Sequence, residues 1–447
     1  MDQINERIKA EVKKLHIVDT HEHFMTEADR NQYAVDFSYL FGHYNLSDLR
    51  SAGLPPRLAE AVRLPMHRYQ VAYLKRTGRS KDKYIPEPER EDMTLEERWQ
   101  AMEPFWEAIR NTAYAKQTLI TIKEVFGIDD LNRDTYLKLS QAIADSRKPG
   151  WYRYILKEKA KIDVSIVDIQ ATDVDRELFA PIMRLDDFIA VQSRLDLSGL
   201  EKQTSEAIHS LDDLVKAMRV EIEKYVANGT VGIKSALAYR RTLQYDKVTR
   251  HEAETIFNRI SSHMGEGISW LEAKPLQDYI MHQIIQAAIE AGLPLQIHTG
   301  LQEGNLNIIS NANPTHLVNL FISYPEAKFD LFHGGYPYIH EWATLAKYFA
   351  NVYADLAWVH IISPHIARLL LHELIETVPG TKIMAYGGDA QTVEMAYGHS
   401  IMARQVVARV LCEKVAEGYM KEDEAVLLAR RMLRDNPAAL FKLSIPS

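Results

Sequence analysis

Two histidines one residue apart, His21 and His23, follow the apolar pair Ile17-Val18 and precede Phe24. On an extended strand, side chains two apart point to the same face. His21 and His23 can therefore converge on one object, and a divalent metal ion is what two imidazoles most often share. Such a pair arises readily by chance. Its weight comes from later segments, where a chemically capable side chain repeatedly stands at the end of a strand-like run. Arg184 follows Ile182-Met183, Lys234 follows Gly232-Ile233, and His298 follows Gln296-Ile297. His333 follows Leu331-Phe332, and Asp389 follows Gly387-Gly388.

A single histidine after a strand is ordinarily a hydrogen-bonded structural residue. Independent structural explanations become much harder to sustain for several at successive strand ends. Gly300 after His298 and Gly334-Gly335 after His333 permit sharp turns that leave each imidazole at a rim. A carboxylate at Asp389 could bind a metal while taking a proton from the water that the metal activates; as a turn residue it could equally satisfy backbone groups. Lys234 is ambiguous. Beside a metal its ammonium would be disfavoured by like charge. The neutral amine can add carbon dioxide, giving a carbamate able to bridge two metals, or the charged form can hold an anionic substrate. Arg184 and the run Tyr239-Arg240-Arg241 could clamp a carboxylate bidentately, or serve as ordinary salt-bridge partners. His43 and Tyr44 could reach the same pocket from a neighbouring segment.

Positioning these groups requires an alternating framework. The strand-like runs begin at Ile17 and recur at 162–167, 179–184, 231–235, 293–298, 328–333, 351–356 and 382–386. Helical patterns separate most of them, including 152–160, 211–228 closed by Gly229, and 276–291 closed by Gly292. Eight strands alternating with helices predict an α/β chain folded as a (β/α)8 TIM barrel, whose active site forms where the strands end. No glycine-rich dinucleotide fingerprint follows the first strand, which argues against a doubly wound sheet. Between the first two strands, residues 36–149 show no convincing β-run and read as a helical insertion or lid. In it, Ser47 could cap a short helix ended by Gly53, Thr94-Leu95-Glu96-Glu97 reads as a capping box, and 81–92 looks like an exposed loop. We expect one domain over 1–447 carrying that insertion, with the helical region 406–440 packed outside the barrel.

The composition excludes several classes. A net charge of -8 gives no basic surface for nucleic acid. Hydrophobic residues at 46% and charged residues at 26% are those of a soluble globular protein. No apolar run approaches the ~20 residues of a membrane helix, and Met1–Lys14 lacks the apolar core of a signal peptide. Cys412 is the single cysteine, so no disulfide forms within the chain, as expected in a reducing cytoplasm.

His21-Glu22-His23 after strand one, Lys234 after strand four, His298 after strand five, His333 after strand six and Asp389 after strand eight resemble the amidohydrolase superfamily. The resemblance runs from about Leu15 to Phe441 and leaves out the helical insertion. It implies that His21, His23 and Asp389 bind the more buried metal. Where a second ion is present, the Lys234 carbamate bridges and His298 and His333 bind it. In mononuclear members His298 joins the first metal and His333 becomes a catalytic group. Gly232-Ile233-Lys234 and Thr20-His21-Glu22-His23 look like phosphotriesterase-type hydrolases. Arg184-Leu185-Asp186, Tyr152-Arg153-Tyr154-Ile155-Leu156 and His43-Tyr44 look like uronate isomerases, which are not expected to carry Lys234. Overall the chain is most similar to the amidohydrolase-2 type branch, which includes decarboxylases as well as hydrolases.

We therefore expect a metal-dependent hydrolase of a small polar, anionic substrate, with uronate isomerisation or aromatic-acid decarboxylation as the alternative. Asp389 and His333 would be catalytic, and Arg184, Tyr239, Arg240 and His43 would bind substrate. The cofactor would be one or two divalent ions, zinc first and manganese or iron next. A cytoplasmic location, a small-molecule partner and self-association into a homo-oligomer complete the expectation, with neither nucleic acid nor membrane as partner.

Overall fold

The structure, a computed structural model, describes residues 2–32, 35–59, 93–169, 171–262 and 267–445. Each strand-like run of the sequence forms a short strand: β1 (Ile17–Glu22), β2 (Ile162–Val167), β3 (Phe179–Pro181), β4 (Met183–Arg184), β5 (Ile233–Ser235), β6 (Leu295–His298), β7 (Phe329–Phe332), β8 (Val352–Asp355) and β9 (Ile383–Met384). β3 and β4 are two halves of one run. The break falls just after Pro181, which has no N–H to offer a ladder.

All neighbouring strands pair in parallel, β1 to β3 in one ladder and β4 to β9 in another. Backbone hydrogen bonds join the ladders. Ile182 N–H donates to Val167 O at 3.1 Å and Met183 N–H to Gly232 O at 3.2 Å. On the far side, Thr20 N–H donates to Tyr386 O at 3.3 Å, Asp389 N–H to His21 O at 2.7 Å and His23 N–H to Ala390 O at 2.9 Å. The ring is a TIM barrel. Its register sets Arg184 beside Lys234 and His298 beside Phe332, the residue before His333. The chemically capable side chains thus gather at one end.

Parallel strands covered by helices are buried on both faces, and every residue of β1 and β2 is buried. Val18, Val164, Ile166, Ile182 and Met384 cluster with Leu440 and Phe441. Nearer the site the interior turns polar. Gln296 Nε2 donates to Asp330 Oδ2 at 2.8 Å and to Thr20 O at 3.1 Å, all fully buried.

The helices start where their caps say. Ser210 with Asp213 opens Leu211–Ala227, and Ser269 with Glu272 opens Trp270–Ala291. The latter begins earlier than its apolar periodicity indicates, because the capping box lies upstream of Pro275 and the helix runs through that proline. Over 36–149 the described residues are helical, with Tyr44–Ser51, Leu95–Ile109, Ala113–Phe126 and Tyr136–Asp145. The Thr94–Glu97 capping box forms as expected. Ser47 does not cap; it lies inside a helix that His43 precedes. The loop expected over 81–92 lies outside the described residues.

A buried network fastens this helical region to the barrel. Arg30 Nη2 reaches Glu394 Oε1 at 2.5 Å and Ser146 Oγ at 2.6 Å, and Trp151 Nε1 donates to Glu394 Oε1 at 2.8 Å. Glu394 opens the long helix Val393–Ala416, five residues beyond Asp389. Among the described residues, no helix is long and apolar enough to cross a membrane.

Candidate metal centre

His21 and His23 leave β1 together, and their Nε2 atoms approach to 3.2 Å. His23 donates its Nδ1–H to Asp168 O at 3.0 Å, which fixes the tautomer and leaves the Nε2 lone pair facing His21. Asp389 completes the group: its Oδ1 lies 3.2 Å from His23 Nε2 and 3.6 Å from His21 Nε2. One donor atom from each of the three lies within 4.8 Å of the others. Two imidazole nitrogens and a carboxylate oxygen converging on one point form a donor set that suits zinc, manganese or iron. A cation shared between the facing nitrogens would satisfy both lone pairs. These residues fit a metal ion.

Asp389 is held in place by its backbone. Its φ is +49°, a left-handed conformation that L-residues adopt at a cost of roughly 1–2 kcal/mol. Its N–H donates to His21 O, and its carbonyl accepts the Tyr44 hydroxyl at 2.7 Å. Tyr44 is stacked on Trp358, with ring centroids 4.5 Å apart. The glycines before Asp389 are needed for close approach, since a Cβ on Gly388 would run into Glu22 Oε1. Glu22 holds the same loop by accepting Ala390 N–H at 2.6 Å. Burial and the neighbouring Asp19 push the Glu22 carboxyl well above the usual range.

A second pair faces the first. His298 donates Nε2–H to Leu301 O at 2.7 Å, and His333 donates Nδ1–H to Ala357 O at 3.2 Å. The remaining nitrogens, His298 Nδ1 and His333 Nε2, meet at 3.1 Å. The left-handed turn His333-Gly334-Gly335 aims His333 into the mouth, where its Nε2 is 3.6 Å from Asp389 Oδ2. Burial lowers the pKa of His333 to about 3, and burial also holds His21 and His298 well below the ordinary imidazole value. For Asp389, burial works upward. The close approach of His23, with His333 and His21 around it, outweighs burial and holds the carboxyl well below the usual range.

Lys234 sits beneath His21, with Nζ 3.0 Å from His21 Nε2 and 3.3 Å from Asp168 Oδ2. Burial, then the neighbouring Arg184, lowers its pKa to about 8 against the pull of Asp168. Arg184 contacts the same Asp168 oxygen through Nε at 2.6 Å and Nη2 at 2.5 Å. Its side chain stays 28% exposed, so the guanidinium meets the mouth while its inner edge is engaged.

The sequence-derived residues do not all meet. His21, His23, Lys234, His298, His333, Asp389 and Arg184 form one connected cluster. Tyr239 stands beside it, its ring centroid 4.9 Å from that of His298. Arg240 is exposed on the same turn, whereas Arg241 is buried and paired with Asp278 at 2.6 Å. Arg241 is therefore a structural ion-pair residue and not part of a substrate clamp. The His43 ring lies tilted against Tyr44, centroids 3.8 Å apart, and lines a small cavity of about 20 Å³ beside Ala390 and Gln391. Asp168 was missed, although it stands directly after β2 and the strand-end rule applies to it. Trp358, 5.2 Å from His333 between ring centroids, carried no sequence signal of its own. A groove of about 890 Å³ on the outside, lined by Val12, Ile401 and Arg404 among others, contains none of these residues.

The amidohydrolase family model, Amidohydro_2, matches residues 215–443, just over half of the chain. The chain belongs to the amidohydrolase family. It is an enzyme of that superfamily. Protein fluG of Emericella nidulans is 30% identical over 223 residues, which make up 48% of this chain and 26% of that protein. The match thus spans about a quarter of that relative's length. Among solved structures, a uronate isomerase from Thermotoga maritima aligns with a TM-score of 0.72 at 18% identity, covering 98% of this chain and 97% of that one. A glucuronate isomerase from Caulobacter crescentus aligns at 0.72 and 17% identity, covering 100% and 95%. A protein named as a metal-dependent hydrolase from Lactobacillus casei aligns at 0.65 and 18% identity, covering 97% of each chain. At these identities the likeness is one of fold.

Proposed function

We propose that this protein is a metal-dependent hydrolase of a small anionic substrate, with zinc, manganese or iron bound by His21, His23 and Asp389. The observation that carries the reading is the Asp389 carboxylate. One oxygen faces the two histidines of β1 and the other lies 3.6 Å from His333 Nε2. A divalent ion held by these residues would supply a more acidic water and would polarise a substrate carbonyl. Asp389 Oδ2 is placed to receive a proton and to return it to the leaving group. His333, whose Nδ1–H is engaged by Ala357 O, offers Nε2 as a second proton-holding atom on the same side. The exposed edge of Arg184, with Arg240 at the rim, orients an anionic group of the substrate. Tyr239 and His43 flank that approach, and the helices Tyr44–Ser51 and Ala113–Phe126 cover it. The stacked Tyr44, Tyr114 and Trp358 keep water from the closed side. With one cysteine in the chain, the cytoplasm is the matching compartment.

The test has two arms. Elemental analysis of active protein should find a transition metal, and Asp389→Asn should lose turnover by at least the ~100-fold typical of a proton-transfer group. Active metal-free protein, or unchanged turnover in the variant, would sink the reading. A second reading, aldose–ketose isomerisation of a uronic acid, is favoured by the near-complete coverage of both isomerase structures at TM-scores of 0.72. Product mass in ordinary water separates the two: hydrolysis adds the elements of water across two products, isomerisation leaves the mass unchanged, and decarboxylation releases carbon dioxide.

A further inference from the structure

We propose that the outer groove of about 890 Å³ binds an amphiphilic carboxylate, with its head on Arg404 and its apolar body along the helix Val393–Ala416. The inference stands apart from the metal-dependent reading above, since no residue of the metal centre lines this groove.

The long helix supplies one wall. Tyr397, Arg404, Ala408 and Ala416 recur at helical spacing, so they share one face. That face meets Val12 of the helix Asp2–Lys14 and Ile120 of the helix Ala113–Phe126 across the groove. By the rise of a helix, it runs roughly 28 Å from Tyr397 to Ala416, with roughly 18 Å of that beyond Arg404. Spread over this length, the volume averages roughly 30 Å² in cross-section, the room of one extended chain and far less than a partner helix of ~10 Å diameter requires.

Arg404 gives the groove its charge. Its Nη1 donates to Val12 O at 2.6 Å and its Nη2 to Ala160 O at 3.0 Å. Val12 lies in the last turn of its helix, and Ala160 directly follows Tyr154–Lys159. Helix ends carry partial negative charge, so these carbonyls fix the guanidinium while leaving part of its positive charge unmatched. Among the described residues no carboxylate pairs with it. Burial lowers its pKa to about 10, with Tyr386 and Tyr397 pulling the other way. The remaining charges of the lining are settled by their own partners. Lys9 pairs with Glu6 at 3.0 Å and Arg409 with Glu413 at 3.1 Å, and Glu413 also takes Arg368 at 2.8 Å and His372 at 2.9 Å. Lys13 and Glu124, both exposed, oppose each other in sign. Arg404 is the cation left over. A half-buried cation beside apolar walls selects an anion that brings an apolar body with it.

Titration calorimetry of the full-length protein, as purified, with laurate below its micellar concentration tests the proposal. Dodecyltrimethylammonium serves as the same chain with the opposite charge. We expect saturable binding of one laurate per chain and at least ~10-fold weaker binding of the cation. Arg404→Met keeps a long apolar stem without the charge and should weaken laurate binding by about 10-fold or more. Gln405 is exposed and lines the groove, so Gln405→Trp fills the space and should abolish binding. Equal binding of the two amphiphiles would overturn the proposal, as would no binding of laurate, the result that a groove built for a partner protein gives. Laurate binding unchanged by Gln405→Trp would also overturn it, since that is the behaviour of a carboxylate held at the metal centre. If Arg404→Met does not fold, Gln405→Trp and the charge-reversed probe still decide.

Discussion

Glu394 should be among the costliest single charges to remove from this protein outside the metal centre. Its carboxylate and the Arg30 guanidinium are both fully buried and 2.5 Å apart. Trp151 Nε1 shares Oε1 at 2.8 Å, and the Tyr39 hydroxyl donates to Oε2 at 3.4 Å. Glu394→Gln keeps the shape and one acceptor oxygen but leaves Arg30 charged without a counter-ion. Breaking a buried pair in this way costs about 3–5 kcal/mol. Loss of the charge-assisted part of the Trp151 and Tyr39 bonds adds roughly 1 kcal/mol, and these terms overlap. Against a total stability of ~5–15 kcal/mol, the variant loses a large fraction of its margin. Urea titration followed by tryptophan fluorescence measures the loss. The double variant Arg30→Met with Glu394→Leu removes both charges and should recover most of the loss, because two apolar side chains of similar size carry no unpaired charge. A Glu394→Gln variant within ~1 kcal/mol of wild type, or a double variant no better than the single, would refute the assignment of this pair as the anchor between the helical region and the barrel.

Tyr44→Phe removes the hydroxyl that holds Asp389 O while keeping the stack on Trp358, so metal affinity should fall by about 10-fold or more with little change in fold, measured by competition with a chelating dye. Asp330 supplies a pH test. Burial raises its pKa to about 7 from 3.8, with Gln296 opposing. A carboxyl whose folded pKa is raised contributes stability that is fully present below its unfolded value and lost as pH rises through the folded one. Unfolding free energy should therefore decline between pH ~4 and ~7, and Asp330→Asn should flatten that decline; an unchanged slope in the variant would remove Asp330 as its source.

How much of this was legible beforehand differs between strands and loops. Three of the strand ends were readable because short apolar runs stop at Gly300, Gly334-Gly335 and Gly387-Gly388, and the residues beside those turns are His298, His333 and Asp389. Asp168 has no such punctuation: it follows Ile166-Val167 without a glycine, and only its position after β2 marks it. The arginines could not be sorted from sequence, because Arg240 and Arg241 are adjacent just past the short turn Leu237–Tyr239 and yet differ in burial. One is exposed and the other is paired with Asp278. Ser47 misled because a cap residue is recognised by type, whereas the helix start is set by the packing of Tyr44 on Trp358 and the Asp389 loop. The network of Arg30, Ser146, Trp151 and Glu394 joins positions more than a hundred residues apart, and no local pattern announces it.

The central claim is that His21, His23 and Asp389 form a metal site. Titration calorimetry of chelator-stripped protein with zinc, in the wild type and in His21→Ala and His23→Ala, tests it most directly. Tight binding in the wild type that weakens by at least ~100-fold in each variant is the predicted result, since each removes one of three protein ligands. Wild-type protein that takes up no zinc, or variants that bind it as tightly as the wild type, would contradict the account.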